Sequence, residues 1–434
     1  MIERIQAIRG MNDVLPNETV KWQKIERIFA QCMRAYGYQE IRFPVLENTA
    51  LFKRSIGAVT DIVEKEMYTF LDLNQESLSM RPEGTAGCLR ACLEHGLLHN
   101  QQQKLWYNGP MFRYEKPQKG RYRQFHQIGV EALGFAGVGI ELELILLCQR
   151  LWSLLGLEHG LQLQINTLGV LEERQAYRQK LIDYFSQYES ILDEDCQRRL
   201  HRSPIRILDS KNPALKDIIA AAPKLMDSLS ESSRQHFSDL QTGLTALNIP
   251  YQINPTLVRG LDYYGHTVFE WVSDRLGAQA TVCAGGRYDL LVEQLGGQAT
   301  PAVGFALGVE RLLLLMETLA PISEEPKVDV FVIVDGEPYQ AQALAIAERI
   351  RAESAWNVVV YLGQGRMKAQ FKQADKCGAR FAMILGEQEI QDDMVVIKDL
   401  RQGGQQTVPQ VDALEVLRAM SEQWGNDLQK KKIL

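Results

Sequence analysis

The sequence is poor in cysteine, and the few cysteines present are scattered. There are seven in 434 residues, and Cys88 with Cys92 is the one close pair. No second pair accompanies it, so neither a disulfide framework nor a zinc site is expected, and no metal site of the protein's own is predicted. We therefore predict reduced thiols and a cytoplasmic location.

A membrane-length apolar run and an excess of positive charge are also missing. The best candidate for a membrane span, around Leu312–Met316, is interrupted upstream by Glu310 and Arg311, and MIERIQAIRG at the start lacks the apolar centre of a secretion signal. The net charge of −6 argues against a protein that coats nucleic acid through charge alone. The remaining composition, 45% hydrophobic and 24% charged, is typical of a globular protein with two or three domains.

The most strongly basic stretch, FRYEKPQKGRYRQFHQIGVEALG, runs from Phe112 to Gly134. Aromatic residues precede it and apolar residues alternate after it, which predicts two antiparallel strands joined by a Pro-Gln-Lys-Gly turn. Several guanidinium groups directed at one point suit a polyphosphate, because arginine pairs bidentately with phosphate oxygens. A solvated hairpin would have the same pattern, and this stretch alone does not separate the two. Its cations are Arg113, Lys116, Lys119, Arg121, Arg123 and, when protonated, His126.

The chain before this hairpin alternates helices with short strands. The segment from Thr19 to Tyr36 has the periodicity of an amphipathic helix that Gly37 ends. YQEIRFPVLE then predicts one strand that ends at Pro44. A second hairpin with its turn near Asn74 follows, and RPEGTAG ends it and begins another helix.

Glu83 and Thr85 within RPEGTAG have two interpretations. A glutamate and a threonine at a strand-to-helix corner can bind an ammonium group and a hydroxyl group. The same residues also suit the start of a helix, with Thr85 as the cap and Glu83 near the positive end of the helix dipole. The local sequence favours neither interpretation.

After the basic hairpin the sequence predicts a helix from Ile140 to Gly156 and a strand from Leu161 to Leu168. From about residue 170 to 250 the chain is polar, helical and poor in glycine, which indicates an inserted helical module. Strands resume near Tyr251. The next stretch, LVRGLDYYGHTVFEW, has β-type composition, and its arginine and tyrosines fit either a ligand wall or a core strand with polar tips.

Two glycine-containing stretches follow. In TVCAGGRYDLL, Gly285 and Gly286 allow another group to approach the backbone closely. AVGFALGVERLLLLM predicts a strand that leads into a helix. Its Gly304-x-x-x-Gly308 spacing is not a phosphate-binding loop, because the Lys-Ser/Thr of that motif is absent.

Beyond a linker at EEPK, apolar strands alternate with helices, which predicts a small α/β domain with a largely parallel sheet. Lys368, Lys372 and Lys376 recur every four residues and share one helix face. Such a stripe is either a solvated face or a contact for nucleic acid.

These stretches together resemble the class II aminoacyl-tRNA synthetases, and in particular the bacterial histidyl-tRNA synthetases. The likeness covers nearly the whole chain, from RGMNDVLP near the start to the C-terminal α/β region. GYQEIRFPVLE is similar to the family's dimer-interface motif, FRYE with RYRQF to its ATP-binding hairpin, and GVER to its third signature. LVRGLDYYGHTVFEW and CAGGRYD are similar to segments specific to the histidine enzymes and are therefore the most discriminating.

The resemblance implies an α+β fold with two domains. Residues 1–325 form an antiparallel-sheet catalytic domain with the helical insertion, and residues 326–434 form an anticodon-binding α/β domain. It implies a homodimer that binds L-histidine, ATP and tRNA(His), with Mg²⁺ bound alongside ATP and no membrane partner. The implied activity is ATP-dependent formation of histidyl-adenylate, followed by transfer of the histidyl group to tRNA.

The resemblance also assigns roles to individual residues. Arg113 and Arg259 are the expected catalytic residues, because both approach the α-phosphate, where negative charge grows. The other expected ATP contacts are Arg121 and Arg311 on the outer phosphates, with Glu115 and Phe125 on adenine. The expected histidine contacts are Glu83, Thr85 and Gln127 at the ammonium and carboxylate groups, and Glu131, Tyr263, Tyr264 and Tyr288 at the imidazole. Gln118 in the hairpin loop is the expected tRNA contact, and the stripe residues Lys368 and Lys372 are added from their pattern.

Two alternatives share this fold. A regulatory subunit of ATP phosphoribosyltransferase binds histidine as a signal, but such proteins generally lack the C-terminal domain and lose the arginine-bearing segments, which are present here. A class II synthetase for another amino acid is disfavoured by Tyr263 and Tyr264. The informative stretches contain no Ser/His/Asp or Cys/His arrangement, so catalysis is expected to depend on positioning and positive charge.

Overall fold

The structure, a computed structural model, describes residues 4–57, 60, 62–208, 210, 212–258, 261, 263–320 and 328–431, apart from the side chains of 278, 279 and 423–431. The chain divides into two compact units, Met1–Ile322 and Ser323–Leu434. Among the described residues, no helix combines the length and the apolar character needed to cross a membrane.

The first unit contains an eight-stranded sheet and a separate three-stranded sheet. Its strands are β1 (Gln39–Glu40), β2 (Leu46–Asn48), β3 (Thr69–Leu71), β4 (Ser77–Met80), β5 (Gln103–Phe112), β6 (Gln124–Leu133), β7 (Gln162–Thr167), β8 (Tyr251–Ile253), β9 (Gly265–Val272), β10 (Thr281–Arg287) and β11 (Ala302–Gly308). The large sheet has the order β1-β5-β6-β11-β10-β9-β7-β8, parallel at its two outer pairs and antiparallel between β5 and β7. The small sheet, β2-β4-β3, is antiparallel and contains the predicted second hairpin.

Helices cover both faces of the large sheet. They are α1 (Pro16–Ala35), α2 (Thr49–Ile56), α3 (Thr85–Glu94), α4 (Gly139–Leu154), α5 (Leu171–Ser186), α6 (Glu194–Arg202), α7 (Lys216–Ala220), α8 (Glu231–Ala246), α9 (Leu291–Gln294) and α10 (Val309–Leu319). Buried side chains of α1, α4, α8 and α10 form one apolar core with the sheet. Side chains of α3, α5 and α6 contribute to a second core. The predicted antiparallel-sheet architecture with flanking helices is confirmed.

The predicted helical insertion is also confirmed. Helices α5 to α8 lie between β7 and β8, which are parallel neighbours at the edge of the large sheet. A parallel pair needs a long crossover connection, and the helical module supplies it. No strand occurs among the described residues between β7 and β8.

The prediction of one continuous strand in YQEIRFPVLE is wrong. The segment forms β1 and β2, which belong to different sheets, with residues 41–45 outside both. Arg81 explains the break, because Arg81 Nη1 donates to the Phe43 carbonyl at 3.0 Å and its backbone N–H donates to the Val45 carbonyl at 2.9 Å. The Phe43 carbonyl is therefore satisfied by an arginine side chain, and the Val45 carbonyl by the backbone that follows β4, the partner of β2.

The second unit is the predicted small α/β domain. Its elements are β12 (Val330–Val334), α11 (Gln340–Glu353), β13 (Val358–Val360), α12 (Met367–Lys376), β14 (Phe381–Leu385), α13 (Glu387–Gln391), β15 (Met394–Asp399), β16 (Gln405–Pro409) and α14 (Ala413–Lys431). The sheet order is β13-β12-β14-β15-β16.

The prediction that this sheet is largely parallel needs correction. Strand β12 pairs in parallel with β13 and β14, but β14–β15 and β15–β16 are antiparallel. The segment between Leu385 and Met394 is shorter than the dozen or so residues that a parallel crossover needs, so the chain reverses there. Strand β16 was not predicted, because its polar residues are largely exposed and do not alternate.

Candidate active site

The basic stretch forms the predicted hairpin. Strands β5 and β6 pair antiparallel from Gln103 opposite Leu133 to Phe112 opposite Gln124. At the tip, Gln118 N–H donates to the Arg121 carbonyl at 3.0 Å and Arg121 N–H donates back at 2.9 Å.

Most of the residues predicted to bind histidine or ATP line a single cavity of about 450 Å³. Arg259 lies outside the described residues. Gln118 is exposed at the hairpin tip, and Lys368 and Lys372 are exposed on α12 of the second unit. The predicted residues that line the cavity are Glu83, Thr85, Arg113, Glu115, Arg121, Phe125, Gln127, Glu131, Tyr263, Tyr264, Tyr288 and Arg311.

Glu131 lies at the centre of the buried end of this cavity. It is on β6 and only 1% exposed. Its Oε1 accepts hydrogen bonds from the Thr85 hydroxyl at 2.8 Å and from the Tyr107 hydroxyl at 3.1 Å, and its Oε2 accepts one from the Tyr288 hydroxyl. The carboxyl group is therefore oriented by donors from α3, β5 and the turn after β10.

Burial raises the pKa of Glu131 to about 8, although the hydrogen bonds from Tyr288 and Thr85 oppose that rise. A carboxyl group in this range is largely neutral at neutral pH in the empty site, and its oxygens still accept hydrogen bonds from a ligand donor. Imidazole carries an N–H donor and titrates in the same range. It is the side chain that matches this environment best.

At the start of α3, helix capping applies to Glu83 and not to Thr85. Glu83 Oε2 accepts from the Thr85 N–H at 2.6 Å and Oε1 accepts from the Ala86 N–H at 3.0 Å. The Thr85 hydroxyl is directed to Glu131 instead. Burial raises the pKa of Glu83, opposed by these backbone hydrogen bonds. Nearby, Gln127 Oε1 is buried and has no hydrogen-bond partner among the described residues, so the site keeps an acceptor for a ligand.

Aromatic rings form one wall of the buried end. The ring centroids of Tyr263 and Tyr264 lie 4.7 Å apart, and those of Tyr263 and Tyr288 lie 5.5 Å apart. Both tyrosines of the pair precede β9 and are not part of it, so the predicted β-type stretch is a strand only from Gly265. The two tyrosines line the cavity, and the residues after them form a largely buried strand.

Three glycines pack against side chains of the buried end, and two of them, Gly84 and Gly304, line the cavity. A Cβ atom at Gly84 or Gly129 would overlap the Tyr107 ring, and one at Gly304 would overlap the Glu131 carboxyl group. Glycine is therefore required at these positions for Tyr107 and Glu131 to lie where they do.

Arginines surround the opposite, more open end of the cavity. Arg113 Nε donates to the Pro82 carbonyl at 2.8 Å, and its guanidinium carbon lies 5.3 Å from the centre of the Phe125 ring. Arg121 forms an ion pair with Glu115. These contacts bring together the guanidinium groups and the predicted adenine-binding residues.

Arg311 completes this cationic group. It lies on the first turn of α10, where Nη1 donates to the Thr281 carbonyl at 2.8 Å. Burial, Arg121 and Arg113 all lower the pKa of Arg311, which remains charged. Because the three cations repel one another, a polyanion between them would be stabilised.

Two lining residues with clear contacts were not predicted. Tyr107 lies within the aromatic strand before the basic loop, and its hydroxyl is the third donor to Glu131. Glu310 accepts from the His126 N–H at 2.9 Å and lies 3.0 Å from His126 Nδ1, which fixes the start of α10 to β6. Both residues are within stretches that the sequence singles out, but only the folded chain shows their partners.

Comparison with known proteins agrees with this geometry. A family model described as histidyl-tRNA synthetase matches residues 10–312, and a model described as an anticodon binding domain matches residues 327–420. A histidine–tRNA ligase of Legionella pneumophila is 62% identical over 403 residues, which cover 92% of this chain and 95% of that protein. The crystal structure of apo histidyl-tRNA synthetase from S. aureus has a TM-score of 0.80 at 36% identity and covers 95% of this chain and 100% of that chain.

A more distant structure, described as an ATP phosphoribosyltransferase regulatory subunit/histidyl-tRNA synthetase from Bacillus halodurans, has a TM-score of 0.64 at 21% identity and covers 89% of this chain and 99% of that chain. At that identity it shows a shared fold and nothing further. The family model, in contrast, covers more than half of the chain, and the Legionella relative matches nearly all of it at high identity. The chain therefore belongs to the histidyl-tRNA synthetase family.

Proposed function

We propose that this protein activates L-histidine with ATP and transfers the histidyl group to the 3′ end of tRNA(His). The observation that carries the proposal is one cavity with two chemically different ends. A buried carboxyl group held by hydroxyl donors lies at one end, and three arginines surround the other. Such a cavity fits an imidazole-bearing amino acid joined to a nucleotide phosphate.

In the first step, a carboxylate oxygen of histidine attacks the α-phosphorus of ATP. A bond forms between that oxygen and phosphorus, the bond to the β-phosphate oxygen breaks, and pyrophosphate leaves. Negative charge grows at the α-phosphate, and Arg113 stabilises it from the hairpin together with Arg259. In the second step, a hydroxyl oxygen of the terminal tRNA ribose bonds to the histidyl carbonyl carbon, the bond from that carbon to the phosphate oxygen breaks, and AMP leaves with release of the hydroxyl proton.

The buried end selects the amino acid. Glu131 accepts from an imidazole N–H, and the ring lies against the wall formed by Tyr263, Tyr264 and Tyr288. An amino acid without that donor leaves the buried carboxyl group unpaired, which disfavours its binding. At the other end of the amino acid, the ammonium and carboxylate groups are fixed by Glu83, Thr85 and Gln127.

The open end binds ATP. Phe125 stacks on adenine, Glu115 accepts from its amino group, and the outer phosphates are bound by Arg121 and Arg311. Because Glu115 and Arg121 form an ion pair in the structure, binding ATP through both residues requires each to exchange that partner for the nucleotide.

The site also fits Mg²⁺ brought in with ATP. The carboxylates of Glu270 and Glu310 line the cavity beside Arg311, and hard oxygen ligands are those that Mg²⁺ prefers. When bound, the ion neutralises charge on the outer phosphates. The arginines described above still position the α-phosphate.

For tRNA, we assign residues 1–325 to catalysis and residues 326–434 to anticodon binding. The match of residues 327–420 to an anticodon binding domain supports that division. Gln118, exposed at the hairpin tip beside the cavity residue Arg121, contacts the acceptor end. Lys368 and Lys372, exposed on α12, contact the tRNA backbone.

The protein acts as a homodimer. Apolar side chains on and near the small sheet are unusually exposed, with Phe70, Leu71 and Leu73 at 45%, 59% and 101%. A concentration of exposed apolar surface on one sheet marks a protein interface. Light scattering should give twice the chain mass, and Phe70→Asp with Leu71→Asp should shift the mass toward the monomer.

We also place the protein in the cytoplasm, a reducing compartment. All seven cysteines are free thiols in the structure, and the Sγ atoms of Cys148 and Cys283 lie 3.9 Å apart without a bond between them.

The decisive experiment is ATP–pyrophosphate exchange without tRNA, measured with each of the twenty amino acids. Exchange with histidine alone is the expected result. If no amino acid supports exchange while histidine still binds tightly by calorimetry, the protein is a histidine sensor and the assigned catalytic roles are wrong.

A further inference from the structure

A buried polar cluster that the mechanism does not use adjoins the histidine pocket through Arg287, the chain neighbour of Tyr288. Glu141 on α4 is fully buried and Arg287 is 2% exposed. Arg287 Nε donates to Glu141 Oε1 at 2.5 Å, and the Thr267 hydroxyl donates to Oε2 at 2.5 Å. His236 of α8 in the helical module lies with Nε2 3.0 Å from the same carboxylate.

The cluster holds Glu141 ionised. Burial alone would raise the pKa of Glu141, but the hydrogen bond with His236 and the charge of Arg287 lower it overall. A charged guanidinium and a charged carboxylate therefore face each other in the interior. Because such a pair contributes little net stability compared with apolar packing, its contribution here is better sought in geometry.

Arg287 contacts the segment that leads away from Glu131. Its Nη2 donates to the Gly137 carbonyl at 2.8 Å and its Nη1 donates to the Phe135 carbonyl at 3.3 Å. Both carbonyls lie in the loop that follows β6, the strand that bears Glu131. The planar guanidinium group thus fixes the end of β6 relative to the end of β10.

Arg287 also fixes the turn that bears Tyr288. Its Nη1 donates to Asp289 Oδ1 at 3.1 Å, and the same oxygen accepts from the Ala302 N–H at 2.8 Å. The Tyr288 N–H donates to the Ala302 carbonyl at 2.7 Å. Tyr288 is therefore connected to β11 by its own backbone and by the residue that follows it.

We propose that Arg287 is a positioning residue for histidine recognition, which holds the Tyr288 hydroxyl against Glu131 by fixing the two segments that carry them. The inference rests on the proposed function, because it concerns the pocket assigned to the imidazole. Through Glu141 and His236, the same cluster connects this pocket to α8 of the helical module.

The test is a double-mutant cycle of Arg287→Lys and Tyr288→Phe, with histidine affinity measured by calorimetry. Lysine keeps the charge but loses the planar set of donors, so Arg287→Lys alone should weaken histidine binding about 10-fold, as for loss of one hydrogen bond to a charged group. In the Tyr288→Phe background the same change should weaken it less than about twofold, because the hydroxyl that Arg287 positions is gone. ATP affinity should stay constant throughout.

Two further variants keep the test decisive. Asp289→Asn alters the more exposed part of the network, and it provides the test if Arg287→Lys does not fold. It should weaken histidine binding by a smaller factor than Arg287→Lys, and again less in the Tyr288→Phe background. Arg351→Lys is the matched control, since it makes the same change at an arginine that pairs with Glu348 in the second unit; it should leave histidine affinity unchanged.

The inference is overturned if Arg287→Lys and Asp289→Asn weaken histidine equally with and without the Tyr288 hydroxyl, or have no effect. That result would leave the proposed function intact, because the unaltered protein would still bind histidine. Failure of the unaltered protein to bind histidine would instead overturn the proposed function.

Discussion

The two ends of the cavity are built by different means. At the buried end, three hydroxyl groups of the protein itself donate hydrogen bonds to Glu131, and glycine backbone fixes the space around them. At the open end, cations repel one another, and Arg121 is paired with Glu115, a residue assigned to the nucleotide. In the proposed function, the buried end is preorganised for selection, whereas the open end concentrates positive charge for a reaction that develops negative charge.

The largest expected effect is a slower reaction when an arginine of the open end is removed. Arg113→Ala should slow single-turnover formation of the adenylate about 10²–10³-fold, because one donor to the developing charge is lost. Histidine affinity by calorimetry should change less than about threefold. Lys116→Ala, in the same hairpin but exposed and outside the cavity, is the control and should keep the full rate. An equal loss of histidine affinity in Arg113→Ala would mean that the two ends are not separate.

A change at the buried end should act on affinity instead. Glu131→Gln should raise the KM for histidine about 10–100-fold with a smaller change in kcat, because the carboxyl group that pairs with the imidazole is lost before and during reaction. The KM for ATP should hold steady. Glu143→Gln on α4, partly exposed and outside the cavity, is the control. A fall in ATP affinity at constant histidine KM would show that Glu131 has been assigned to the wrong ligand.

The buried end should also make stability depend on pH. The pKa of Glu131 is raised to about 8 from an ordinary 4.5, so between these values the folded chain binds a proton that the unfolded chain lacks. The stabilising contribution of the neutral carboxyl group is complete below pH 4.5 and is lost as pH rises through 8, by at most about 1.4 kcal/mol per pH unit.

Urea unfolding of the unliganded protein and of Glu131→Gln between pH 5 and 9 measures this dependence. The unfolding free energy of the unaltered protein should fall relative to that of the variant as pH rises. Parallel curves would contradict the raised pKa. The arginines of the open end should not make the unfolding free energy depend on pH, since they stay charged over this range.

The smallest expected effect lies outside both ends, in the second unit. Reversing charge with Lys368→Glu and Lys372→Glu should raise the KM for tRNA about 2–10-fold, most clearly at low salt, because backbone phosphate contacts are screened by ions. Pyrophosphate exchange, which needs no tRNA, should be unchanged. Unaltered aminoacylation would instead identify the lysine stripe as a solvated face.

Local patterns predicted the parts of the site that depend on local structure. The basic hairpin and the strand–helix segment from Ala302 to Met316 have turn residues and periodicity that few other structures fit, and both are present. The helical module was predicted from its polar, glycine-poor composition, which is also a local property of the sequence.

Parts that depend on distant partners could not be predicted. YQEIRFPVLE reads as one strand, and only the contacts with Arg81 reveal the break. Glu141 sits on a leucine-rich helix like an ordinary surface glutamate, and its partner Arg287 is 146 positions away in the chain. Arg259, assigned from resemblance, lies outside the described residues and stays a prediction.

The glycine wall of the buried end has a consequence for engineering. Because Gly84, Gly129 and Gly304 have no side chain to shorten, no substitution there can enlarge the space, and any side chain added would displace Tyr107 or Glu131. A variant that accepts a histidine analogue with a substituted ring must therefore gain its room from the tyrosine wall. Libraries aimed at such analogues should randomise Tyr263 and Tyr264 and keep the three glycines fixed.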